Sequence, residues 1–235
     1  MEPIIIVRDL VQKIGRNMLL NGISFDVLPG ESFGVFGVRG AGKTTLLHIL
    51  AGIDRFKSGQ VEVLGCNITK SENFKRNLGI VTQESSLFLD MTVGENLDFI
   101  AALKNASRAD VYNLIERYEL NDSLSEPVTV LTLGIFQRLS LACAMLNRPK
   151  LLIADEIIKD FDLYSRNLIL RELRQFQAEG GTCVYGFSNI EFCEHMSKVG
   201  WLESGQMNIY EPKDAQTEWN RQVKFYTEQS DRHHV

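Results

Sequence analysis

The stretch "GVRGAGKT", Gly37 to Thr44, places glycines, a lysine and a hydroxyl at the spacing G-x-x-x-x-G-K-[ST]. Glycines at that spacing let backbone N–H groups turn inward around phosphates, and a helix starting at the lysine aims its positive end at them. Lys43 is then expected to reach the β- and γ-phosphates of a nucleotide, and Thr44 to offer its hydroxyl to Mg²⁺. A second stretch, "LLIADE", reads as a buried strand delivering Asp155 and Glu156 at its carboxyl end, where open α/β sheets bind ligands. Asp155 would hold Mg²⁺ directly or through water, and Glu156 would position or polarise an attacking water. Taken singly, each stretch has a plainer reading, a glycine turn or ordinary strand-end charges. Together they predict a site for nucleotide phosphates.

Such a loop needs a strand before it and a helix after it. "IIIVRDLV", "MLLNGISFDVLPGE" with its Pro29-Gly30 turn, and "SFGVFG" read as strands, the last running into the loop. "GQVEVLG" alternates like a half-exposed strand, and "LGIVTQ" is a short apolar strand ending in Gln83. From about Met91 to Leu146 the texture is helical. "TVGENLDFIAALK" opens with a Thr cap and a Glu three residues on, and "SRADVYNLIERYEL" sets Val111, Leu114, Ile115 and Tyr118 on one face. Strand and helix then alternate again through "KLLIADE", a helix from about Leu163 to Ala178, "GTCVYGFS", a short helix, "VGWLES", a Gly205 turn and "QMNIYEP". "TEQSDRHHV" reads as a frayed tail.

The chain has 235 residues, 44% of them apolar, which is ample for a packed core. A formal net charge of −5 argues against a broad nucleic-acid or anionic-membrane surface, so any phosphate must be captured locally. Cys66, Cys143, Cys183 and Cys193 form no C-x-x-C pair, which points to scattered reduced thiols in a cytosolic protein. The N-terminus lacks the charge pattern of a signal peptide, and no run approaches the roughly 18 apolar residues of a membrane helix. Work at a membrane would go through a partner.

With these motifs in this order, the chain resembles the nucleotide-binding subunits of ABC transporters over nearly its whole length. The resemblance implies an α/β fold: a P-loop NTPase core with an antiparallel β-subdomain and an inserted α-helical subdomain. On this sequence the core and β-subdomain would take 1–84 and 147–212, the helical subdomain 85–146, and a C-terminal helix and tail 213–235. It implies ATP and Mg²⁺ as ligands, with Gly37, Arg39, Gly40, Ala41, Gly42, Lys43, Thr44 and Thr45 around the phosphates. Thr44, Gln83 and Asp155 would serve the metal, Gln83 as the residue coupling the helical lobe to membrane subunits. A head-to-tail dimer is implied, in which one subunit's signature motif closes over the ATP held by the other. "MTVGENLDF" and "GIDRFKSGQVEVLG" look like segments of the ABC-2 type exporter branch.

Several positions depart from the family pattern. Ile14 stands where an aromatic ring usually meets adenine, weakening stacking worth about 1 to 3 kcal/mol per base. The signature aligns with Leu131, Thr132, Leu133, Gly134 and Ile135, anchored by "FQRLSLACAML". Thr132 keeps a hydroxyl there, but Leu133 puts a large side chain where glycine lets backbone approach phosphate. Ile157-Ile158 replace the usual Pro-Thr/Ser, while Asp162 in "KDFD" matches the aspartate that crosses the dimer interface. Ser188-Asn189 stand where the family has Thr-His, so the histidine that contacts the γ-phosphate is replaced by an amide without charge. His48, His195 and the tail pair His233 and His234 are assigned no role.

The expected function is the ATP-binding subunit of an ABC-type exporter. Glu156, Gln83 and Asn189 would occupy its catalytic positions, with weak hydrolysis and no nucleic acid bound. It would sit on the inner face of the cell membrane through a membrane subunit, as a dimer and possibly with a different ATP-binding subunit. The alternative is a nucleotide-controlled regulatory module with no transport role. A soluble ATPase acting on DNA or the ribosome fits less well, since the chain is acidic and has no long coiled coil or basic arm.

Overall fold

The computed structural model describes residues 2–83, 86–158 and 162–232. Lys159, Asp160 and Phe161 of "KDFD", with the tail histidines His233 and His234, lie outside them. The N-terminal part pairs β1 (Ile5–Ile14), β2 (Asn17–Val27), β4 (Ser58–Val63) and β5 (Cys66–Asn67) into an antiparallel sheet of order β2-β1-β4-β5. Between β2 and β4 the chain forms β3 (Ser32–Phe36) and α1 (Lys43–Leu50).

β3 belongs to a six-stranded sheet with β6 (Leu78–Val81), β7 (Leu151–Asp155), β8 (Thr182–Phe187), β9 (Lys198–Glu203) and β10 (Gln206–Tyr210), in the order β10-β9-β3-β8-β7-β6. All its neighbours run parallel except β10 on β9. Every residue of β3, β7 and β8 is buried, as expected for parallel strands covered on both faces. Alternate residues feed separate cores. Leu151, Ile153, Val184 and Val35 pack with α1 and the antiparallel sheet. Leu152, Ala154, Tyr185 and Phe36 face the helical side. The two-residue period thus fixes β7 in register, so that Asp155 arrives at the strand's carboxyl end.

The helical side holds α2 (Val93–Lys104), α3 (Arg108–Arg117), α4 (Leu133–Met145) and α5 (Leu163–Ala178). α2 has the capping box foreseen in "TVGE", with Thr92 accepting from Glu95 N and Glu95 accepting from Thr92 N. α3 has a second, from Ser107 and Asp110. The Met91–Leu146 block is less uniformly helical than its texture suggests: between α3 and α4 lie only 3₁₀ turns at Asn121–Ser123 and Val128–Val130. Pro127 has no N–H for a helix ladder, and Glu119 adopts a positive φ of 51° just past α3.

Two charged side chains tie this lobe together. Arg117, at the end of α3, donates from Nε to buried Glu172 of α5 at 2.8 Å. Lys104 donates to the carbonyls of Cys143 and Ala144 at 3.1 Å each, satisfying the last turn of α4, and burial pushes its ammonium pKa down.

The last element, α6 (Pro212–Arg232), docks by Ala215 and Trp219, with Trp219 edge-on to Phe36 at 5.5 Å. Its length corrects the expectation of a frayed tail: the backbone stays helical through Arg232, and no Gly or Pro interrupts it after Pro212.

Candidate functional site

The segment from Gly37 to Gly42 joins the buried end of β3 to the first turn of α1. Gly42 is the N-cap of α1 at φ 106°, a backbone geometry closed to ordinary L-residues, and no side chain caps the helix. The first turn of α1 carries no acidic residue. Its unfilled N–H groups and dipole therefore form an anion-seeking surface. Gly40, at φ 86°, is a second left-handed position in the loop.

Lys43 is folded back into this loop with 6% of its side chain exposed. Its Nζ donates to Gly37 O at 2.8 Å, Val38 O at 3.3 Å and Ser188 Oγ at 3.0 Å, and lies 3.6 Å from Glu156 Oε1. Ser188 also donates to Glu156 Oε1, so the hydroxyl bridges the lysine and the carboxylate. Sequence reasoning noted Ser188 only as the residue before the altered switch position. Its bridging role depends on β8 ending beside β7, which local letters do not show.

Thr44 Oγ1 donates to Asp155 Oδ2 at 2.5 Å. Asp155 is 3% exposed, and its other oxygen, Oδ1, is buried with no hydrogen-bond donor. Burial raises the Asp155 carboxyl above its ordinary range, helped by the nearby Glu156 charge and opposed by the Thr44 hydrogen bond and the Lys43 and His48 charges. A half-satisfied buried carboxylate beside a hydroxyl suits a divalent cation, so Thr44 and Asp155 can hold Mg²⁺. Gly186 makes room for this carboxylate. A Cβ there would sit 2.6 Å from Asp155 Oδ1 and 2.7 Å from Leu47 Cδ1.

Glu156 follows directly in the left-handed region at φ 50°, pinned by donation from its N–H to Gly186 O at 2.9 Å. A non-glycine residue held there stores strain of order 1–3 kcal/mol, which the surrounding contacts maintain. The turn aims the carboxylate back at Lys43 and Ser188 rather than along the sheet.

Ile14, Leu19, Arg39, Gly40, Gly42, Lys43, Thr44, Thr45, Gln83, Glu156 and Ser188 surround a cavity of about 590 Å³, within the range of small-molecule sites. The fold thus brings nine of the sequence-picked residues onto one cavity, with Asp155 hydrogen-bonded to Thr44 beside it. Ile14 is 61% exposed at its rim, and Leu19 joins it there as a second aliphatic wall that the sequence reading missed. Ala41 is part of the loop's turn, donating its N–H to Val38 O at 3.1 Å.

Asn189 lies next door, in a cavity of about 350 Å³ shared with Glu156, Ser188 and Arg166. Its amide is engaged locally: Oδ1 accepts from Glu191 N at 3.0 Å, and Nδ2 donates to Glu191 Oε2 at 3.4 Å. It caps the 3₁₀ turn Ile190–His195.

Leu131 to Ile135 are not among the residues around either cavity. They form the entry to α4, where Thr132 is the N-cap, accepting from Ile135 N at 3.4 Å. Gly134 is buried against Asp162 and Ser165, with no space for a Cβ. Asp162 is the N-cap of α5, accepting from Ser165 N at 2.7 Å, which holds its carboxyl below the usual range. Leu133, 45% exposed, projects from this junction. A separate cavity of about 470 Å³ is bordered by Asp110 and Glu179 together with Arg117, Arg148 and Lys150, and none of the sequence-picked site residues lines it.

Among the described residues no helix is long and apolar enough to cross a membrane. The model of the ABC transporter family matches residues 20–159. The linearmycin resistance ATP-binding protein of Bacillus subtilis is 31% identical over 199 residues, 82% of this chain and 64% of that protein. The Nod factor export ATP-binding protein I of Rhizobium meliloti is 32% identical over 205 residues, 85% of this chain and 61% of that protein. The chain therefore spans somewhat less than two thirds of these relatives. A spermidine/putrescine import ATP-binding protein of Haemophilus influenzae also matches, 30% identical over 184 residues, 77% of this chain and 50% of that protein. Among solved structures, an ATP-binding subunit of an ABC transporter superposes with a TM-score of 0.83 at 21% identity, covering 92% of this chain and 93% of that one. A dimeric cassette bound to ADP and Pi gives 0.81 at 20% identity, covering 88% and 98%. The strand–glycine loop–helix, the paired acidic residues at the end of β7 and the family match over most of the chain's first two thirds have one explanation: this chain belongs to the ABC transporter family and has the fold of an ABC ATPase cassette.

Proposed function

We propose that the chain is the ATP-binding subunit of an ABC-type membrane exporter, binding Mg-ATP and hydrolysing it slowly. The observation that carries this reading is the convergence of the α1 N-terminus, Lys43, Thr44 and Glu156 on one cavity of about 590 Å³, with Asp155 hydrogen-bonded to Thr44. Mg²⁺ at Thr44 and Asp155 would neutralise charge on the nucleotide's phosphates. The chain's own residues would do the rest. Loop amides and Lys43 orient the phosphates, with Lys43 moving from the Gly37 and Val38 carbonyls onto them. Gln83 lies at the cavity's edge, and Glu156, held back by its φ and by Ser188, accepts a hydrogen bond from the attacking water.

Hydrolysis is expected to be slow because Asn189 brings no charge and its amide already serves Glu191. Leu133 and Ile135 make the α4 entry a poor cover for a second nucleotide, which supports a dimer with a different ATP-binding subunit. The relatives named for resistance and export support the direction of transport.

Support for a membrane subunit as partner comes from exposed apolar side chains on the helical side. Phe88 and Phe99 pack edge-to-face at 4.8 Å, and Leu103 lies one turn beyond Phe99. Such a patch, close in sequence to Gln83, suits a docking element from a neighbouring protein. Membrane attachment would follow from that contact alone.

The test combines binding of a fluorescent ATP analogue with hydrolysis for the natural chain, Lys43→Ala, Glu156→Gln and Asn189→His. Binding lost in Lys43→Ala, turnover near background, and a rise of at least tenfold in Asn189→His are expected. Failure of the natural chain to bind nucleotide would remove the reading. Ordinary turnover in a pure homodimer would remove the claim of slow hydrolysis.

A further inference from the structure

Around the nucleotide cavity, Lys43 and one Mg²⁺ would leave the sum of a triphosphate and the two local carboxylates negative, so a further cation there would be favourable. Asp155 and Glu156 contribute two carboxylates. Lys43 is one cation, already shared among Gly37 O, Val38 O, Ser188 and Glu156. Asn189 is neutral and occupied with Glu191. Mg²⁺ at Asp155 would offset that carboxylate and part of the phosphate charge, which leaves Glu156 with the already shared Lys43 as its cation.

Arg39 lies on that cavity with Lys43, Gln83, Glu156 and Ser188. It is exposed, at the loop tip between Val38, whose carbonyl Lys43 touches, and the turn at Gly40. Among the described residues no hydrogen bond or ion pair holds its guanidinium. A planar fork of five N–H donors on a long stem matches phosphate oxygens, where a neutral loop residue would bring no charge.

We propose that Arg39 clasps the terminal phosphate of ATP from within its own subunit, supplying the cation that the altered switch position lacks. The loop tip thereby distinguishes a triphosphate from a diphosphate. This rests on the reading that the cavity binds ATP and adds the residue that reads the third phosphate. A solvated surface arginine would lie equally exposed, and the two cases differ in what they do to ATP and ADP separately.

The experiment is calorimetric binding of a non-hydrolysable ATP analogue and of ADP, each with Mg²⁺, to the full chain and to Arg39→Gln, Arg39→Lys and Arg55→Gln. Arg55 is exposed and outside the cavity, so its variant controls for net charge. Expected for Arg39→Gln is a tenfold or greater loss for the ATP analogue and less than twofold for ADP. Arg39→Lys should recover part of the loss, and Arg55→Gln should match the natural chain. Equal losses for both nucleotides, or no loss, would overturn the role of Arg39 while leaving nucleotide binding in place. No binding of either nucleotide by the natural chain would overturn the underlying reading and this inference with it. Circular dichroism of each variant confirms that a loss reflects the site rather than the fold.

Discussion

Replacing Asp155 by asparagine should make the nucleotide-free protein more stable. The Asp155 carboxylate is 3% exposed, receives the Thr44 hydroxyl on Oδ2 at 2.5 Å, and leaves Oδ1 buried without a donor. Asparagine keeps an acceptor for Thr44 and removes the buried charge along with its repulsion from Glu156. An asparagine amide would occupy the same buried position uncharged, so it is the charge part of the penalty that is relieved, about 1–3 kcal/mol. At about 2–4 °C per kcal/mol for a chain of this size, the melting temperature should rise by about 2–12 °C at pH 7.5 in chelator.

The pH dependence has a definite sign. Burial raises the Asp155 carboxyl above its ordinary 3.8, so the folded state holds the proton more tightly than the unfolded state does. Its stabilising effect is complete below 3.8 and is lost as pH climbs through the raised folded value. The advantage of the variant should therefore be largest near neutrality and fade on acidification. Differential scanning fluorimetry from pH 4.5 to 8, with and without Mg-ATP, measures both, and the natural chain alone should gain strongly from Mg²⁺. A variant less stable than the natural chain at pH 7.5 would show that Asp155 is a structural ion-pair member, and the argument from its orphaned oxygen would fail.

Removing Arg117 as Arg117→Ala leaves the buried Glu172 with only the exposed Arg171 at 3.1 Å. Breaking a buried pair costs about 3–5 kcal/mol, and Arg171 should hold the loss to about 2–4 kcal/mol in urea denaturation, with Glu172→Gln in the same background recovering part of it. A loss under 0.5 kcal/mol would mean that α3 is not held to α5 through this contact. Thr92→Ala, which deletes half of the capping box on α2, should cost about 1 kcal/mol by the same assay without changing ATP affinity. A change in affinity there would tie the start of α2 to the nucleotide site.

Much of the fold was legible because its signals are local. The glycine spacing at 37–42 specifies positive-φ turns before a helix, "TVGE" specifies a capped helix start, and the fully apolar "LLIAD" specifies a doubly covered strand. The tail was misread because its polar composition resembles a frayed end. The helix that runs into it is docked by Trp219 on Phe36 and Trp201, partners distant in sequence, and no Gly or Pro follows to stop it. The non-helical stretch between α3 and α4 was missed because a mostly helical window hides the breaking effect of one proline.

By itself the sequence determined which residues can carry phosphate chemistry, Lys43, Thr44, Asp155 and Glu156, and that Asn189 cannot carry charge, because residue type and spacing set donors, acceptors and ionisable groups. Only the tertiary structure decided that Ser188 bridges Lys43 to Glu156, that Asp155 keeps one oxygen unsatisfied, that Gly186 makes room for it, and that Arg39 has no partner among the described residues. Those facts arise where β3, β7 and β8 end side by side. Strand order and register in a parallel sheet are set by packing among distant segments, and no local pattern encodes them.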